Sequence, residues 1–322
     1  MRAGLDVMGG DFAPAATLEG ALLALREMDG EDSLVLIGDS ALIEANEDIR
    51  NLAGDRLTII HAPDVIGMGD QPIRAFTSKP DSSLAMGFRL LKEGDIDAFS
   101  SAGNTGAMLV GAMYAVHTIP GIIRPCTLVL IPRLDGGHNL LVDVGTNPDA
   151  KPDVMYQFGL LGNIYARAVL GVEQPKVGLL NIGEEEEKGS LLCQSTFRLM
   201  KDSTDYHFIG NVESRDIFKD KVDVVVTDGF TGNIVIKHTE AFFRMMAKRG
   251  LMDDYFARFN YENYGGSPIL GVNGSVVVGH GISNARAIKN MILLSVEIHK
   301  AGLTEKIRQA MSGYTGRTEQ EQ

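Results

Sequence analysis

Five short stretches of this 322-residue chain are rich in residues able to hold an anion. They read Met8-Gly9-Gly10-Asp11, Ser100-Ser101-Ala102-Gly103-Asn104-Thr105-Gly106, Asp143-Val144-Gly145-Thr146-Asn147, Asn181-Ile182-Gly183 and Thr227-Asp228-Gly229-Phe230-Thr231-Gly232-Asn233. Each follows a short apolar segment, and helical patterns follow in turn. At such junctions the backbone N–H groups of a helix start carry partial positive charge, and hydroxyl and amide side chains add donors. Several converging on one crevice would seat a phosphoryl or carboxylate group. Taken singly, a loop of this kind is more often a turn or a helix cap. Five at successive strand ends are harder to dismiss. Neither GxxxxGK[ST] nor a GxGxxG after a strand occurs, which disfavours an ATPase or an NAD enzyme using those phosphate loops.

The elements that must position these turns are legible around them. Apolar segments at Leu5–Val7, Leu34–Ile37, Leu57–His61, Ala98–Ser101, Thr127–Ile131, Leu140–Val144, Lys176–Leu180, Tyr206–Ile209, Val222–Thr227 and Ser275–Val278 read as strands. Helical periodicity covers Ala16–Glu27, Val154–Ala168 and Ser283–Lys300, the last led in by Ser and Asn that suit an N-cap. Continuous apolar strands alternating with helices predict an α/β fold, a three-layer arrangement with a mostly parallel sheet and helices on both faces. No linker, repeat or low-complexity tract divides the chain, so residues 1–322 are expected to form a single α/β domain.

Composition narrows the classes. A hydrophobic fraction of 44% with 22% charged residues is that of a soluble globular chain. No apolar run approaches the ~18 residues needed to cross a bilayer, and no signal segment precedes the first strand. Thirty basic against forty-two acidic residues leave a net charge of −12, which opposes sequence-independent nucleic-acid binding. Two cysteines, Cys126 and Cys193, do not make a disulfide framework and fit a reducing cytosol. His117, His138, His207 and His238 lack metal-ligand spacing and there is no CxxC, so no metal is expected.

The wording of several loops is more specific than their chemistry. Gly4-Leu5-Asp6-Val7-Met8-Gly9-Gly10-Asp11-Phe12-Ala13-Pro14, Ser101-Ala102-Gly103-Asn104-Thr105-Gly106-Ala107, and Gly178-Leu179-Leu180-Asn181-Ile182-Gly183-Glu184-Glu185 running on to Lys188-Gly189 occur in that order. Phe208-Ile209-Gly210-Asn211-Val212-Glu213, the block Asp223 to Asn233, Leu270-Gly271-Val272-Asn273-Gly274 and Gly279-His280-Gly281 follow. Together they resemble the bacterial phosphate acyltransferase (PlsX) family, over nearly the whole chain. Thr146, Ala150 and Ser190 depart from the pattern, where Ala, Cys and Asn would be expected.

The resemblance implies a fold similar to phosphotransacetylases and isocitrate-type dehydrogenases. It also implies transfer of a long-chain acyl group from an acyl carrier protein thioester to inorganic phosphate. The acyl phosphate product would pass to a membrane glycerol-phosphate acyltransferase for phospholipid synthesis. A cytoplasmic homodimer, peripherally attached to the membrane and without cofactor, is the implied state. The alternatives are a short-chain phosphotransacetylase, an isocitrate-type dehydrogenase, or a non-catalytic carrier-binding scaffold on the same frame.

Such a reaction needs phosphate held against a carbonyl, donors for the oxyanion, and a neutralised thiolate. Ser101, Asn104 and Thr105, helped by Gly145 and Thr146, are the phosphate-binding candidates. Lys188 and His280 are candidates for charge neutralisation; Lys188 otherwise pairs with the glutamates before it, and His280 otherwise sits in a turn. Asp228 and Asn233 are further catalytic candidates: Asp228 orients a donor or receives a proton, or else only caps the helix starting near Gly229. Gly9, Gly10, Asp11 and Asn181 shape loops or the acyl path. Neither cysteine has an adjacent activator, so direct transfer is preferred over an acyl-cysteine.

From Ala241 to Phe259 the helical signal carries large apolar residues and cations, within a protruding amphipathic segment at about 238–264. Phe242 and Phe256 with the flanking cations Arg244, Lys248 and Arg249 suit an anionic lipid surface, the same cations suit an acidic carrier protein, and Lys237 points toward either the site or the carrier. A core or dimer-interface helix is the alternative.

Overall fold

The computed structural model describes residues 1–52, 54 and 56–314. By contact the chain forms two compact units, Met1–Thr118 with Tyr261–Thr304, and Ile119–Asn260 with the segment from Glu305. Unit 1 opens with β1 (Arg2–Asp6), α1 (Ala15–Glu27), β2 (Ser33–Gly38), α2 (Ser40–Glu44), α3 (Glu47–Leu52), β3 (Leu57–His61), α4 (Pro72–Ser78), α5 (Ser83–Glu93), β4 (Ala98–Ser101) and α6 (Thr105–Tyr114). Unit 2 follows with β5 (Cys126–Pro132), β6 (His138–Val142), α7 (Pro152–Ala168), β7 (Lys176–Leu180), α8 (Leu191–Lys201), β8 (His207–Val212), β9 (Val224–Val226), α9 (Gly229–Lys248) and α10 (Asp254–Ala257). The chain returns to unit 1 as β10 (Gly266–Leu270), β11 (Ser275–Gly279) and α11 (Ala285–Lys300), and α12 (Leu303–Ser312) begins at the end of that unit.

In unit 1 the strands run in the order β3-β2-β1-β4-β11-β10, parallel throughout except that β10 opposes β11. In unit 2 the order is β5-β6-β9-β7-β8, with only β5 and β6 antiparallel. The mostly parallel α/β reading therefore holds. Strands such as β4 and β9 are buried at every residue, the mark of a sheet covered on both faces. In unit 1, α5 packs on β1, β2 and β4, and α11, paired with α1, packs on β1, β4 and β11. Phe88 and Phe99 meet edge-on at 5.1 Å in its core, with Met108 and Val276 in the same cluster. Unit 2 buries Leu141, Val225 and Val212 in a separate cluster.

The ten apolar segments overlap strands, but β10 carries no such signal. Pro268, opposite Val277, cannot donate to the ladder, and Gly266 and Ser267 before it break the apolar pattern. The segment read as helical from Ala241 also differs. Helix α9 stops at Lys248, Gly250 takes a left-handed φ of +66°, and a separate short α10 begins at Asp254, capped by Asp253. A non-helical turn therefore separates Arg249 from Phe256.

The first turn of α9 lies directly on the loop after β6. A methyl group at Gly232 would sit 1.9 Å from the carbonyl oxygen of Asp143. Gly→Ala inside a helix ordinarily stabilises by about 0.5–1 kcal/mol. Here the sign should reverse: Gly232→Ala should lower stability by about 1–3 kcal/mol, the usual range for overpacking, read as a lower denaturant midpoint. An unchanged or raised midpoint would show that α9 does not need this contact.

Candidate functional site

In unit 1 the strand-end turns are organised by a carboxylate that the sequence reading did not single out. Asp6 ends β1 and is 2% exposed. It accepts from Ser101 Oγ at 2.6 Å and from Met8 N at 3.0 Å. Ser101 Oγ in turn accepts from Gly103 N at 2.9 Å. Gly9 seals this cluster: a methyl there would lie 2.6 Å from the Asp6 carboxylate and 2.7 Å from Ser101 Oγ. Burial raises Asp6 above its ordinary pKa, against hydrogen bonds from Ser101 and Ser83 that favour the ionised form.

Asn104 is equally committed. Its Oδ1 accepts from Ala107 N, capping α6, and its Nδ2 donates to the carbonyls of Gly67, Met68 and Asp70 at 3.0–3.2 Å. The amide thus ties the 67–70 turn to the start of α6. Thr105, the first residue of that helix, is exposed, and its hydroxyl has no partner among the described residues. Asp11 N donates to Gly281 O at 2.7 Å, drawing the Gly9-Gly10-Asp11 turn to the one that follows His280. His280 is half-buried, its ring edge-on to Tyr261 at 5.2 Å. Unit 1 therefore gathers Gly9, Gly10, Asp11, Ser101, Asn104, Thr105 and His280 around neighbouring turns.

Unit 2 repeats the device. Asp143, fully buried after β6, accepts from Thr127 N, Thr127 Oγ1 and Val144 N with Oδ1, and from Asn147 N and Nδ2 with Oδ2, at 2.6–3.1 Å. Burial raises its pKa too, opposed by these donors. The turn it shapes holds Gly145, and Thr146 Oγ1 lies 2.9 Å from Thr127 Oγ1. Gly145 N donates to Gly229 O, which fastens this turn to α9. Asp228 caps α9: its carboxylate accepts from Thr231 N at 2.9 Å and Thr231 Oγ1 at 2.7 Å. Asn233 is exposed beside Gly145, and its amide has no partner among the described residues. Beneath this turn, burial and then the Asp143 charge push the Cys126 thiol well up, away from a nucleophilic thiolate.

Asn181 follows β7 and pins a third loop through Lys188 O and Asn211 Oδ1, both at 3.1 Å. The Lys188 ammonium is exposed and unpaired among the described residues. The preceding glutamates find other cations, Glu184 with Lys221 at 2.6 Å and Glu186 with Lys201 at 3.1 Å. Glu184, Glu213 and Asp216 approach one another, with Lys221 already bridging Glu184 and Asp216. On α9, Lys237 and Arg244 both reach Glu240, while Lys248 and Arg249 stand exposed. Phe242 is 43% exposed, whereas Phe256 is half-buried among Tyr255 and Phe259.

A family model described as fatty acid synthesis protein matches residues 1–306. The chain belongs to the fatty acid synthesis protein family. Among its relatives, proteins named phosphate acyltransferase from Clostridioides difficile and Desulfitobacterium hafniense are 38% and 39% identical, over 98% and 99% of this chain and 97% and 100% of theirs. One from Halothermothrix orenii is 40% identical over 97% of this chain and 99% of its own. Two solved structures share the fold at low identity. The branched-chain phosphotransacylase of Enterococcus faecalis has a TM-score of 0.64 at 15% identity, covering 93% of this chain and 99% of its own. The EutD phosphotransacetylase of Staphylococcus aureus scores 0.62 at 14%, covering 93% and 94%.

For this member of the fatty acid synthesis protein family, the geometry separates Ser101 from a free phosphate donor. Its hydroxyl is occupied by Asp6, so Ser101→Ala should raise the Asp6 pKa further. Ionised Asp6 costs stability above its raised folded pKa, and acidification through that pKa relieves the cost. Losing a donor extends this window upward. Carboxyl ¹³C NMR across a pH series checks the shift; an Asp6 titration unmoved or lowered in the variant would contradict the assignment.

Proposed function

We propose that this protein transfers a long-chain acyl group from the thioester of an acyl carrier protein to inorganic phosphate. The observation that carries the reading is the full-length similarity to proteins named phosphate acyltransferase. A phosphate oxygen attacks the thioester carbonyl, the C–S bond breaks, and the carrier leaves as its thiolate. Phosphate is already nucleophilic at neutral pH, so no strong general base is required. Holding the reactants in near-attack geometry supplies about 7–11 kcal/mol, and each oriented oxyanion donor about 10²–10³ in rate.

A side chain that meets substrate must have hydrogen-bonding capacity to spare. In unit 2, Asn233 and Lys188 do, and take direct roles in this reading: Asn233 as a donor to phosphoryl oxygen, Lys188 as the cation for the oxyanion or the departing thiolate; in unit 1, Thr105 keeps its hydroxyl unpaired among the described residues. Ser101, Asn104 and Asp228 act through the turns they hold, as do Gly9, Gly10, Gly145, Thr146 and Asn181. His280 is a second cationic candidate when protonated. No organic cofactor or metal takes part.

The same reading makes the protein a homodimer that meets its carrier and the membrane surface from the cytoplasm and delivers acyl phosphate to a membrane acyltransferase. No helix among the described residues is long and apolar enough to cross a membrane. Helix α9 supports surface contact: Phe242 and Met245 are 43% and 48% exposed, with Arg244 and Lys248 nearby in the sequence.

Lys188→Met should leave the protein folded and lower the turnover of long-chain acyl carrier by about 10²-fold, measured as phosphate-dependent thiol release. Turnover within twofold of the parent would remove Lys188 from the mechanism. On α9, Arg244→Glu with Lys248→Glu should raise the KM for acyl carrier at low salt. Phe242→Ala with Met245→Ala should chiefly reduce sedimentation with anionic vesicles. Unchanged sedimentation in both pairs would end the membrane role for this helix. Phe256 is a poorer probe, because its ring packs within the aromatic cluster.

A further inference from the structure

Three large apolar side chains of unit 1 have no part in the chemistry above, yet stand on turns that touch. Phe12, Met68 and Ile282 are 55%, 46% and 48% exposed. The Asp11 N–H to Gly281 O bond of 2.7 Å joins the first turn to the third. The Met68 methyl reaches the same place, lying 2.7 Å from where a Cβ on Gly281 would stand. Single exposed hydrophobic residues are ordinary, but three on turns that meet point to a surface with an occupant.

The backbone beneath Met68 is held on every side. Asn104 Nδ2 binds the carbonyls of Gly67, Met68 and Asp70. The Asp70 carboxylate accepts from Gly67 N at 3.0 Å and from Lys79 Nζ at 2.7 Å. What stays adjustable is the thioether side chain, with three rotatable bonds, on a fixed support. That combination suits an apolar partner of variable shape.

The charge pattern selects which part of a substrate belongs here. The exposed Asp11 carboxylate lies 3.6 Å from the Gly281 Cβ position and has no side-chain partner among the described residues. An anionic group is repelled from such a rim, whereas a hydrocarbon chain is not. We propose that Met68, on a turn that meets those carrying Phe12 and Ile282, contacts the acyl chain of the donor and sets the preference for its length. The inference rests on the acyl-transfer reading and names a specificity-determining contact within it.

The test compares kcat/KM of the full-length protein on butyryl, decanoyl and palmitoyl thioesters of acyl carrier protein, with phosphate saturating. Met68→Gln, nearly isosteric and exposed, should reduce the palmitoyl value about tenfold, the scale expected from losing one or two methylene contacts, and leave butyryl within about twofold. Met68→Asp should enlarge the difference, and butyryl turnover shows that each variant is folded. An equal fall on all three donors would make the patch a carrier-protein contact and overturn the proposal, as would no change on any. Failure of the underlying reaction looks different: the parent protein would then release no thiol in a phosphate-dependent way from any donor.

Discussion

A carboxylate removed from water must be surrounded by donors or it will not stay ionised, and each unit of this protein buries one where a strand ends. Asp6 closes β1 and Asp143 follows β6. Each gathers backbone N–H groups of the residues after it together with a hydroxyl from a neighbouring strand, Ser101 in one case and Thr127 in the other. The following turns are thereby fixed, and glycines give them close approach to the carboxylate or to the adjoining helix. Burial works against both charges, and the donors that shape the turns also favour the ionised carboxylates.

This arrangement explains which polar residues keep hydrogen-bonding capacity to spare. Ser101 and Asn104 looked like ligand donors, and Asp228 like a group that orients one, because hydroxyl, amide and carboxylate groups at helix starts serve both binding and capping. Ser101 donates to Asp6, Asn104 to three carbonyls of the 67–70 turn, and Asp228 accepts from Thr231. Lys188, Thr105 and Asn233 have no such obligations. Lys188 in particular was open to pairing with the glutamates preceding it, yet Lys221 and Lys201 take two of those.

Much of the fold was legible because its strands are continuous apolar runs, which only a doubly covered sheet accommodates. The loops were legible as loops for the same reason that they are glycine-rich. Three things were hidden. Strand β10 was concealed by Pro268, since a ladder position lacking an N–H reads as a break. Asp6 and Asp143 were quoted within motifs but not distinguished, because burial is a property of the folded neighbourhood and an Asp two or three residues ahead of a Gly reads as part of a turn. The α9 region read as one amphipathic stretch, since residues on either side of Gly250 continue the same apolar and basic composition.

Family membership and chemistry converge on acyl transfer to phosphate, and the product itself is the most direct observable. Purified protein, palmitoyl acyl carrier protein and inorganic phosphate should give a new acyl phosphate resonance by ³¹P NMR, growing in step with free carrier thiol. Thiol appearing without that resonance, or at the same rate when phosphate is omitted, would mean that water rather than phosphate takes the acyl group, and would contradict the account.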